Sequence, residues 1–330
     1  MSAAMSGSVV GNLAQRVLRR RRRATLTNVA GSHGSRSLLV INGDVFRRDR
    51  PHFAGLNVGS VETVYCGIED LAFSIDTPRT CVWETVEGRD LADFGLVQVV
   101  AYPRPTVTLL SAVASYLEHK NRPALNAAAV SAPTKLYQLM VLAQAGLPVP
   151  TTLHLPRRVL PKSFQHLAAR LGLPFVLKAI NASGGRLNFL IENEVHFLRH
   201  VLDPAHDTVG FLAQEFIPNN GTFRILVFGE ETPIVMHRCS TDGTHLTNTE
   251  RGGHATLFDT ESFDPAVMDM AVRAASLMGC DIAGVNVVQD RQTRQWHLLE
   301  VTASPAIGSG AFATEKTAAY SSYLQARLSP

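Results

Sequence analysis

Short aliphatic runs that end in turn residues alternate with helical segments along this chain of 330 residues. Residues 37–46 (SLLVINGDVF) and 95–105 (GLVQVVAYPRP) are each typical of a buried strand that ends in Asn-Gly-Asp or in prolines. Residues 106–120 (TVTLLSAVASYLEHK) have helical spacing. Because the succession of strand, turn and helix is the pattern of layered domains, we predict an α/β (α+β) protein of several lobes.

The second half of the chain contains further strand-like runs. Residues 210–217 (GFLAQEFI), 223–230 (FRILVFGE) and 232–238 (TPIVMHR) follow one another with turn residues between them. Their spacing predicts that they pair in one antiparallel sheet.

Start and stop signals near residue 131 mark a boundary between lobes. Ser-Ala-Pro-Thr at 131–134 precedes a helical run that ends at Gly146, followed by Pro148 and Pro150. We therefore predict four parts. They are a flexible Arg-rich tail (1–36), an N-terminal α/β lobe (37–130) and two further subdomains (131–210 and 211–330).

Composition restricts the class of protein. Apolar residues make up 45% and charged residues 18% of the chain, which is enough apolar material for large cores. No run of about 18 apolar residues is present, so no membrane span is predicted. The cysteines Cys66, Cys81, Cys239 and Cys280 lack the short paired spacing of a zinc site. We expect a cytoplasmic protein with reduced thiols, and an oligomer is compatible with the sequence.

The formal net charge of +3 comes from the first 43 residues, which contain seven arginines and no acidic residue. Without them, 24 basic residues face 28 acidic ones, so the body is slightly acidic and nucleic-acid binding is not expected from it. For the tail, the alternatives to a solvated arm are an organelle-targeting peptide and a contact with nucleic acid or an acidic membrane.

Lys178 is a single charge within the apolar run 174–180 (PFVLKAI). An unpaired ammonium group is costly to bury, so a lysine in such a strand needs an anionic partner. The alternative is a lysine at a sheet edge whose charge reaches water. Ile-Asn-Ala-Ser-Gly-Gly at 180–185 favours the first reading, because a glycine pair lets backbone amides approach phosphate oxygens.

The order of these segments resembles the ATP-grasp superfamily and is most similar to the ribosomal-protein glutamate ligases, the RimK-like family. The resemblance extends over about residues 95–312, through a helix with Lys135, the strand with Lys178, the glycine loop, QEFI, FR, HR, ERGG, AGVNVV and LLEVTASP. It implies an ATP-grasp fold in which subdomains 131–210 and 211–330 enclose a nucleotide.

The activity that this resemblance implies is that of an ATP-dependent ligase. Such an enzyme joins a carboxylate to an amine through an acyl phosphate, on small molecules such as amino acids or on peptides. The implied cofactors are ATP and magnesium, with manganese as a substitute.

The resemblance also implies the residues of the nucleotide site. They are Lys135, Lys178, Ser183, Gly184, Gly185, the adenine hinge Gln214, Glu215, Phe216 and Ile217, and Thr222. Arg186 or Asn188 would add donors to the glycine loop. Thr222 departs from the pattern, since relatives commonly have an acidic residue there, near the ribose. Without the resemblance, Lys135 would be an ordinary exposed helix lysine.

The implied catalytic residues are three arginines, Arg224, Arg238 and Arg251, on strands or at their ends. Guanidinium groups suit an acyl phosphate and a carboxylate, and they stabilise the charge that spreads over a phosphoryl group during transfer. Residues 247–255 (TNTERGGHA) match a turn next to the phosphates. Structural salt bridges are the alternative for each arginine. His237 and His254 are candidates for proton transfer, although a lone histidine is more often structural.

The implied metal ligands depart most from the family. Relatives have an acid on one strand, then Glu and Asn two residues apart on the next, whereas this chain has Asn286, Glu300 and Thr302. Oxygen atoms remain available to magnesium, but one carboxylate is lost, so weaker metal binding is expected unless Asp290 or the substrate supplies the missing charge. The alternative function is therefore a non-catalytic nucleotide-binding or scaffold protein with a degraded metal site.

Overall fold

The computed structural model describes residues 36–42, 58–77, 79–100, 107–131, 134–182, 184–241, 253–328 and the single residues His245 and Thr247. The predicted tail lies outside these residues except for Arg36. No helix in the described part of the chain has the length and apolar character needed to cross a bilayer.

The N-terminal lobe is a parallel sheet with a small hairpin beside it. Its elements are β1 (Ser37–Asn42), β2 (Glu62–Gly67), β3 (Leu71–Ser74), β4 (Cys81–Glu84), β5 (Leu96–Val100), α1 (Val107–His119) and β6 (Ala124–Leu125). The sheet order is β2-β1-β5-β6, and β3 pairs with β4. Both predicted strands of this lobe and its helix are confirmed. β5 is buried along its whole length, which is why it is apolar apart from Gln98, whose side chain accepts from the hydroxyl of Tyr320.

The middle part of the chain forms a four-stranded antiparallel sheet, in the order β7-β10-β8-β9. Its elements are α2 (Lys135–Gln144), β7 (Thr152–His154), α3 (Phe164–Leu171), β8 (Phe175–Ala179), β9 (Asn188–Ile191), α4 (Glu194–Val201) and β10 (Phe211–Glu215). Residues of α3 and α4 pack on one face of this sheet, against Phe175, Leu177 and Phe211. Lys178 and Gln214 lie on the opposite face of the middle sheet, which faces the C-terminal sheet.

The C-terminal part forms a five-stranded antiparallel sheet, in the order β13-β12-β11-β14-β15. Its elements are β11 (Thr222–Phe228), β12 (Glu231–Cys239), β13 (His254–Phe258), α5 (Pro265–Leu277), β14 (Ile282–Gln289), β15 (Trp296–Thr302) and α6 (Ala313–Leu328). α5 and α2 cover one face. α6 and β1 cover the apolar half of the other face, and the polar half faces the middle sheet.

β10 corrects the prediction of a single sheet for residues 210–238. It pairs with β7 and β8, whereas β11 and β12 pair with each other in the C-terminal sheet. The middle sheet therefore extends past the predicted boundary at residue 210. Strand spacing predicts that a segment is extended, but the choice of partner depends on packing between distant parts of the chain.

Candidate functional site

A cleft lies between the polar faces of the middle and C-terminal sheets. Most of the residues predicted for the site line it together, namely Lys135, Lys178, Gly184, Gly185, Gln214, Glu215, Phe216, Ile217, Thr222, Arg238, Asn286 and Glu300. Ser183 and Arg251 lie outside the described residues. Residues from α2, β8, β10, β11, β12, β14 and β15 therefore meet at one place.

Lys178 is buried on β8, and its side chain points away from the core under α3 and α4, because side chains alternate along a strand. Lys178 Nζ donates to Gln214 Oε1 at 2.8 Å, and Gln214 Nε2 donates to Thr152 Oγ1 at 2.8 Å, which orients the amide. Burial lowers the pKa of Lys178 to about 8. Glu300 opposes this effect and Lys135 adds to it.

Lys135 is the first residue of α2, which begins where Thr134 Oγ1 accepts from the backbone amide of Tyr137. Lys135 Nζ donates to the carbonyl of Ala182 and lies 3.2 Å from Glu300 Oε1. This lysine therefore connects the loop after β8 with β15. It is part of the cleft rather than an ordinary exposed helix lysine.

The glycine pair gives the loop after β8 its shape. Gly184 and Gly185 have φ angles of +64° and +69°, a conformation that residues with a Cβ atom rarely adopt. Both glycines line the cleft, as do Arg186 and Asn188 beyond them. The loop thus places backbone and side-chain donors beside Lys135 and Lys178.

Arg224, Arg238 and Asn286 form a cluster on the C-terminal sheet. Arg224 is directly opposite Asn286 in the pairing of β11 with β14, and Arg238 is opposite Thr222 in the pairing of β11 with β12. Asn286 Oδ1 accepts from Arg224 Nη1 at 3.0 Å and from Arg238 Nη2 at 2.9 Å. Burial, with a smaller effect from Arg224, lowers the pKa of Arg238 to about 9, against the opposing effect of Glu300.

A β-bulge in β15 directs Glu300 into the cleft. Asn286 pairs with Glu300 but the next residue, Val287, pairs with Leu298, so Leu299 is an extra residue on β15. Leu299 and Glu300 both line the cleft as a result, while Leu298 and Val301 belong to the core on the other face. Bulges re-aim side chains in this way, and neither residue type nor spacing indicates where one will occur.

Apolar and neutral polar residues complete the cleft near the segment 214–217. Val176, Ile217, Val288 and Leu299 supply apolar surface, and Asn219 Nδ2 donates to the carbonyl of Ile217 at 2.7 Å. This surface suits the flat face of a heterocyclic ring.

Three residues that line the cleft, His245, Thr247 and Asn219, were not predicted from the sequence. His245 Nε2 lies 3.0 Å from Asn188 Oδ1, and burial lowers the pKa of this imidazole. Thr247 Oγ1 and Thr222 Oγ1 are 2.6 Å apart. The motif 247–255 was a signal for Thr247, whereas nothing in the local sequence indicated His245.

Among the described candidates, Arg224, Thr302, His237 and His254 do not line the cleft. Thr302 is opposite Gly284 on the polar face but does not line the cleft. His237 points to the other face, where its ring stacks on Phe223 with the ring centres 4.5 Å apart. This position supports the structural alternative for His237.

The three predicted metal ligands do not fit a magnesium site as the structure arranges them. The oxygen of Asn286 already accepts two guanidinium hydrogen bonds, and the carboxylate of Glu300 pairs with Lys135. Thr302 is outside the cleft lining. Among the described residues, no group of three His, Cys, Asp or Glu side chains is placed to hold a metal ion.

A cationic cleft between two antiparallel sheets, with a glycine loop on one and a hinge segment joining them, defines an ATP-grasp protein. A family model described as the RimK-like ATP-grasp domain matches residues 132–319, more than half of the chain. The chain therefore belongs to the RimK-like ATP-grasp family.

Two curated relatives show the extent of the similarity. A probable alpha-L-glutamate ligase of Pasteurella multocida is 32% identical over 201 residues, which are 59% of this chain and 61% of that protein. The ribosomal protein bS6--L-glutamate ligase of Salmonella paratyphi B is 29% identical over 178 residues, 52% of this chain and 56% of that protein. The chain thus spans about three fifths of the length of these relatives.

Solved structures share the fold. The ATP-grasp ligase PsnB, in complex with a minimal precursor, magnesium and ADP, has a TM-score of 0.65 at 18% identity, over 90% of this chain and 99% of PsnB. A RimK domain ATP-grasp protein of Sphaerobacter thermophilus has a TM-score of 0.57 at 18% identity, over 88% of this chain and 98% of that one. At this level of identity they support the ATP-grasp fold alone.

Proposed function

We propose that this chain is an ATP-dependent ligase that joins a carboxylate to an amine through an acyl phosphate. The observation that carries the proposal is the meeting of Lys135, Lys178 and Arg238 with the glycine pair in one cleft. A fold alone does not require three cations at this place, since each is costly to desolvate without an anion.

A bound ATP molecule would use both kinds of surface in the cleft. Its adenine ring would lie against Val176, Ile217, Val288 and Leu299, and its phosphates would lie near the glycine pair and the lysines. Burial disfavours the charged form of Lys178, as its lowered pKa indicates. A bound phosphate would stabilise that charged form.

The proposed chemistry has two steps. A carboxylate oxygen of the first substrate attacks the γ-phosphorus of ATP, the bond to ADP breaks, and an acyl phosphate forms. The amine of the second substrate then attacks the acyl carbon, phosphate leaves, and the nitrogen loses a proton to give the amide. No side chain serves as a nucleophile, so catalysis depends on positioning and on the stabilisation of charge.

Within this scheme the side chains have separate tasks. Lys135 and Lys178 hold phosphate oxygens from the side of α2 and β8. The Arg238 guanidinium stabilises the charge on the phosphoryl group as it moves, from the side of β12. Arg224 keeps Asn286 and Arg238 in place through the shared amide oxygen.

The names of relatives and solved neighbours support a proposal for the substrate class. Two of them carry names of glutamate ligases, and another solved neighbour is a Chryseobacterium gregarium ATP-grasp ligase in complex with ADP and a leader and core peptide. We propose an amino acid or a peptide carboxylate as one substrate and an amino acid or peptide amine as the other.

An ADP-release screen with the full chain tests this function. Purified protein is given ATP with a panel of amino acids, glutamate included, and acidic peptides, in buffers with magnesium, manganese or EDTA. We expect ADP release that depends on one substrate pair, with the amide product detected by mass spectrometry.

Matched variants decide whether the cleft is responsible. Lys178→Met should abolish the signal, whereas Lys162→Met, an exposed lysine outside the cleft, should leave it unchanged. Nucleotide binding without turnover in any buffer or with any substrate pair would contradict the ligase. Such a result would favour the non-catalytic nucleotide-binding alternative.

A further inference from the structure

The oxygen of Asn286 has no acceptor capacity left. A carboxamide oxygen has two lone pairs, and here both accept from guanidinium groups, Arg224 Nη1 and Arg238 Nη2, at 3.0 and 2.9 Å. A divalent cation bound to this oxygen would also lie next to two fixed positive charges. The oxygen of Asn286 therefore binds two guanidinium groups and is not available as a metal ligand.

The charge balance around Glu300 points the same way. Glu300 pairs with Lys135 at 3.2 Å and interacts electrostatically with Lys178 and Arg238. One carboxylate thus faces three cations. An added anion would be stabilised at this place, whereas an added divalent cation would be repelled.

The guanidinium group of Arg238 has a hydrogen-bond donor that is not used by the described residues. Its Nε is buried and has no hydrogen-bond partner among the described residues, although its Nη2 is bound to Asn286. A buried N–H without a partner is costly, and Arg238 lines the cleft. An anionic oxygen in the cleft would satisfy it.

The sheet leaves room for this cluster at Gly284. A Cβ atom built on Gly284 would lie 2.6 Å from Arg224 Cζ, so the guanidinium group occupies the space that a side chain would need. The arrangement is thus built into β14, through a glycine and an asparagine two residues apart.

We infer that Arg238, held beside Arg224 by Asn286, supplies to the nucleotide's phosphates the positive charge that a divalent cation would otherwise supply, so that this chain binds ADP or ATP without a metal ion. The inference rests on the nucleotide binding proposed above and concerns affinity, not turnover.

Calorimetric titration with ADP tests the inference on the full chain. ADP is titrated once in excess EDTA and once in excess magnesium. We expect the two dissociation constants to agree within about threefold, since the fixed cations act in both buffers. A wild-type affinity in EDTA that is weaker by more than this overturns the inference.

A substitution of equal size tests the role of Asn286. Asn286→Asp adds a carboxylate that offsets one of the two positive charges of the arginine pair, so ADP affinity in EDTA should fall at least about tenfold, and magnesium should restore part of it. The control Gln292→Glu adds the same charge at an exposed position after β14 and should change neither value. An Asn286→Asp protein that binds ADP in EDTA as well as the wild type overturns the inference.

The outcomes separate this inference from the ligase proposal. Binding of ADP in EDTA without turnover in the substrate screen would remove the ligase and leave the inference standing. Turnover together with loss of ADP binding in EDTA would support the ligase and overturn the inference. Absence of ADP binding in both buffers would overturn both.

Discussion

At the scale of single residues, Lys178 is a buried cation whose nearest hydrogen-bond partner is neutral. The residue is 8% exposed, and its ammonium group donates to a neutral amide oxygen and lies close enough to Lys135 and Glu300 for both to affect its pKa. Its desolvation in the unliganded protein is compensated only in part. The binding of an anion should therefore stabilise the charged form of Lys178 and raise its pKa.

Replacement of Lys178 by methionine should separate binding from folding. Methionine has nearly the same length without the charge, so the free energy of unfolding should change by no more than about 1 kcal/mol. The affinity for ADP should fall at least about tenfold, because a charged hydrogen bond to phosphate is lost. Calorimetry and urea denaturation measure the two effects. The matched control is Lys162→Met, and equal affinities for both variants would exclude Lys178 from the site.

The lowered pKa of Lys178 predicts proton uptake on nucleotide binding. In the free protein at pH 8 about half of these side chains are neutral, because the pKa is about 8. Bound phosphate favours the charged form, so up to about half a proton should be taken up at this pH. The affinity should accordingly decline as the pH rises above 8.

Calorimetry at pH 8 in buffers of different ionisation enthalpy measures this uptake. Lys316 also has a pKa of about 8, lowered chiefly by burial, so the comparison with Lys178→Met isolates the contribution of one residue. Equal proton uptake in the wild type and in Lys178→Met would contradict the assignment.

At the scale of elements, β14 combines a structural and a functional face. Val285 and Val287 point into the core under α5, while Gly284 and Asn286 point toward the cleft. The missing side chain of Gly284 is what allows Arg224 to lie across the strand.

Gly284→Ala should therefore disturb the arginine cluster more than the fold. Its φ is not in the left-handed region, so alanine adds no backbone strain there, but the new methyl group would collide with Arg224. We expect ADP affinity to fall at least about tenfold with a shift in melting temperature of no more than about 4 °C. Isothermal titration and thermal unfolding measure the two effects.

Gly146→Ala is the converse control. Gly146 has a φ of +75°, and no atom of the described residues lies within 4 Å of the position that a Cβ atom would take, so alanine there would be strained but would touch nothing. We expect a loss of stability of about 1 kcal/mol with unchanged ADP affinity. An unaltered affinity in Gly284→Ala would show that Arg224 has no part in binding.

At the scale of the whole molecule, Asn126 joins the N-terminal lobe to the C-terminal sheet. It is fully buried after β6, and its Nδ2 donates to the carbonyls of Ile282 and Ala303 at 2.9 and 2.7 Å. Its Oδ1 accepts from the amide of Ile282 at 2.8 Å, and its own amide donates to Asp281. One side chain therefore connects segments that are more than 150 residues apart in sequence.

Asn126→Ala should cost several kcal/mol of stability. Three side-chain hydrogen bonds to backbone groups, two of them buried, would be lost at about 1 kcal/mol or more each, and the φ of +58° adds strain for alanine. Asn121→Ala is the matched control, since Asn121 has a φ of +51° but is exposed. Urea denaturation should show a loss at least about twice as large for Asn126→Ala. Equal losses would mean that the hydrogen bonds contribute little.

Local patterns in the sequence predicted the elements and the family. The alternation that places Lys178 opposite the core side of β8, the left-handed glycine pair after it, and the period-two spacing of Glu300 and Thr302 are properties of neighbouring residues. Side-chain periodicity and the conformational freedom of glycine operate over a few residues, so a single sequence is enough to reveal them.

Tertiary structure decided which of these residues meet and what charge surrounds them. The register of β11 with β12 and β14 brings Arg224 and Arg238 to one amide oxygen, and a bulge in β15 turns Glu300 toward three cations. His245 enters the cleft from a segment without a strand or helix pattern. Register and bulges depend on packing between segments far apart in the chain, so they cannot be predicted from local periodicity.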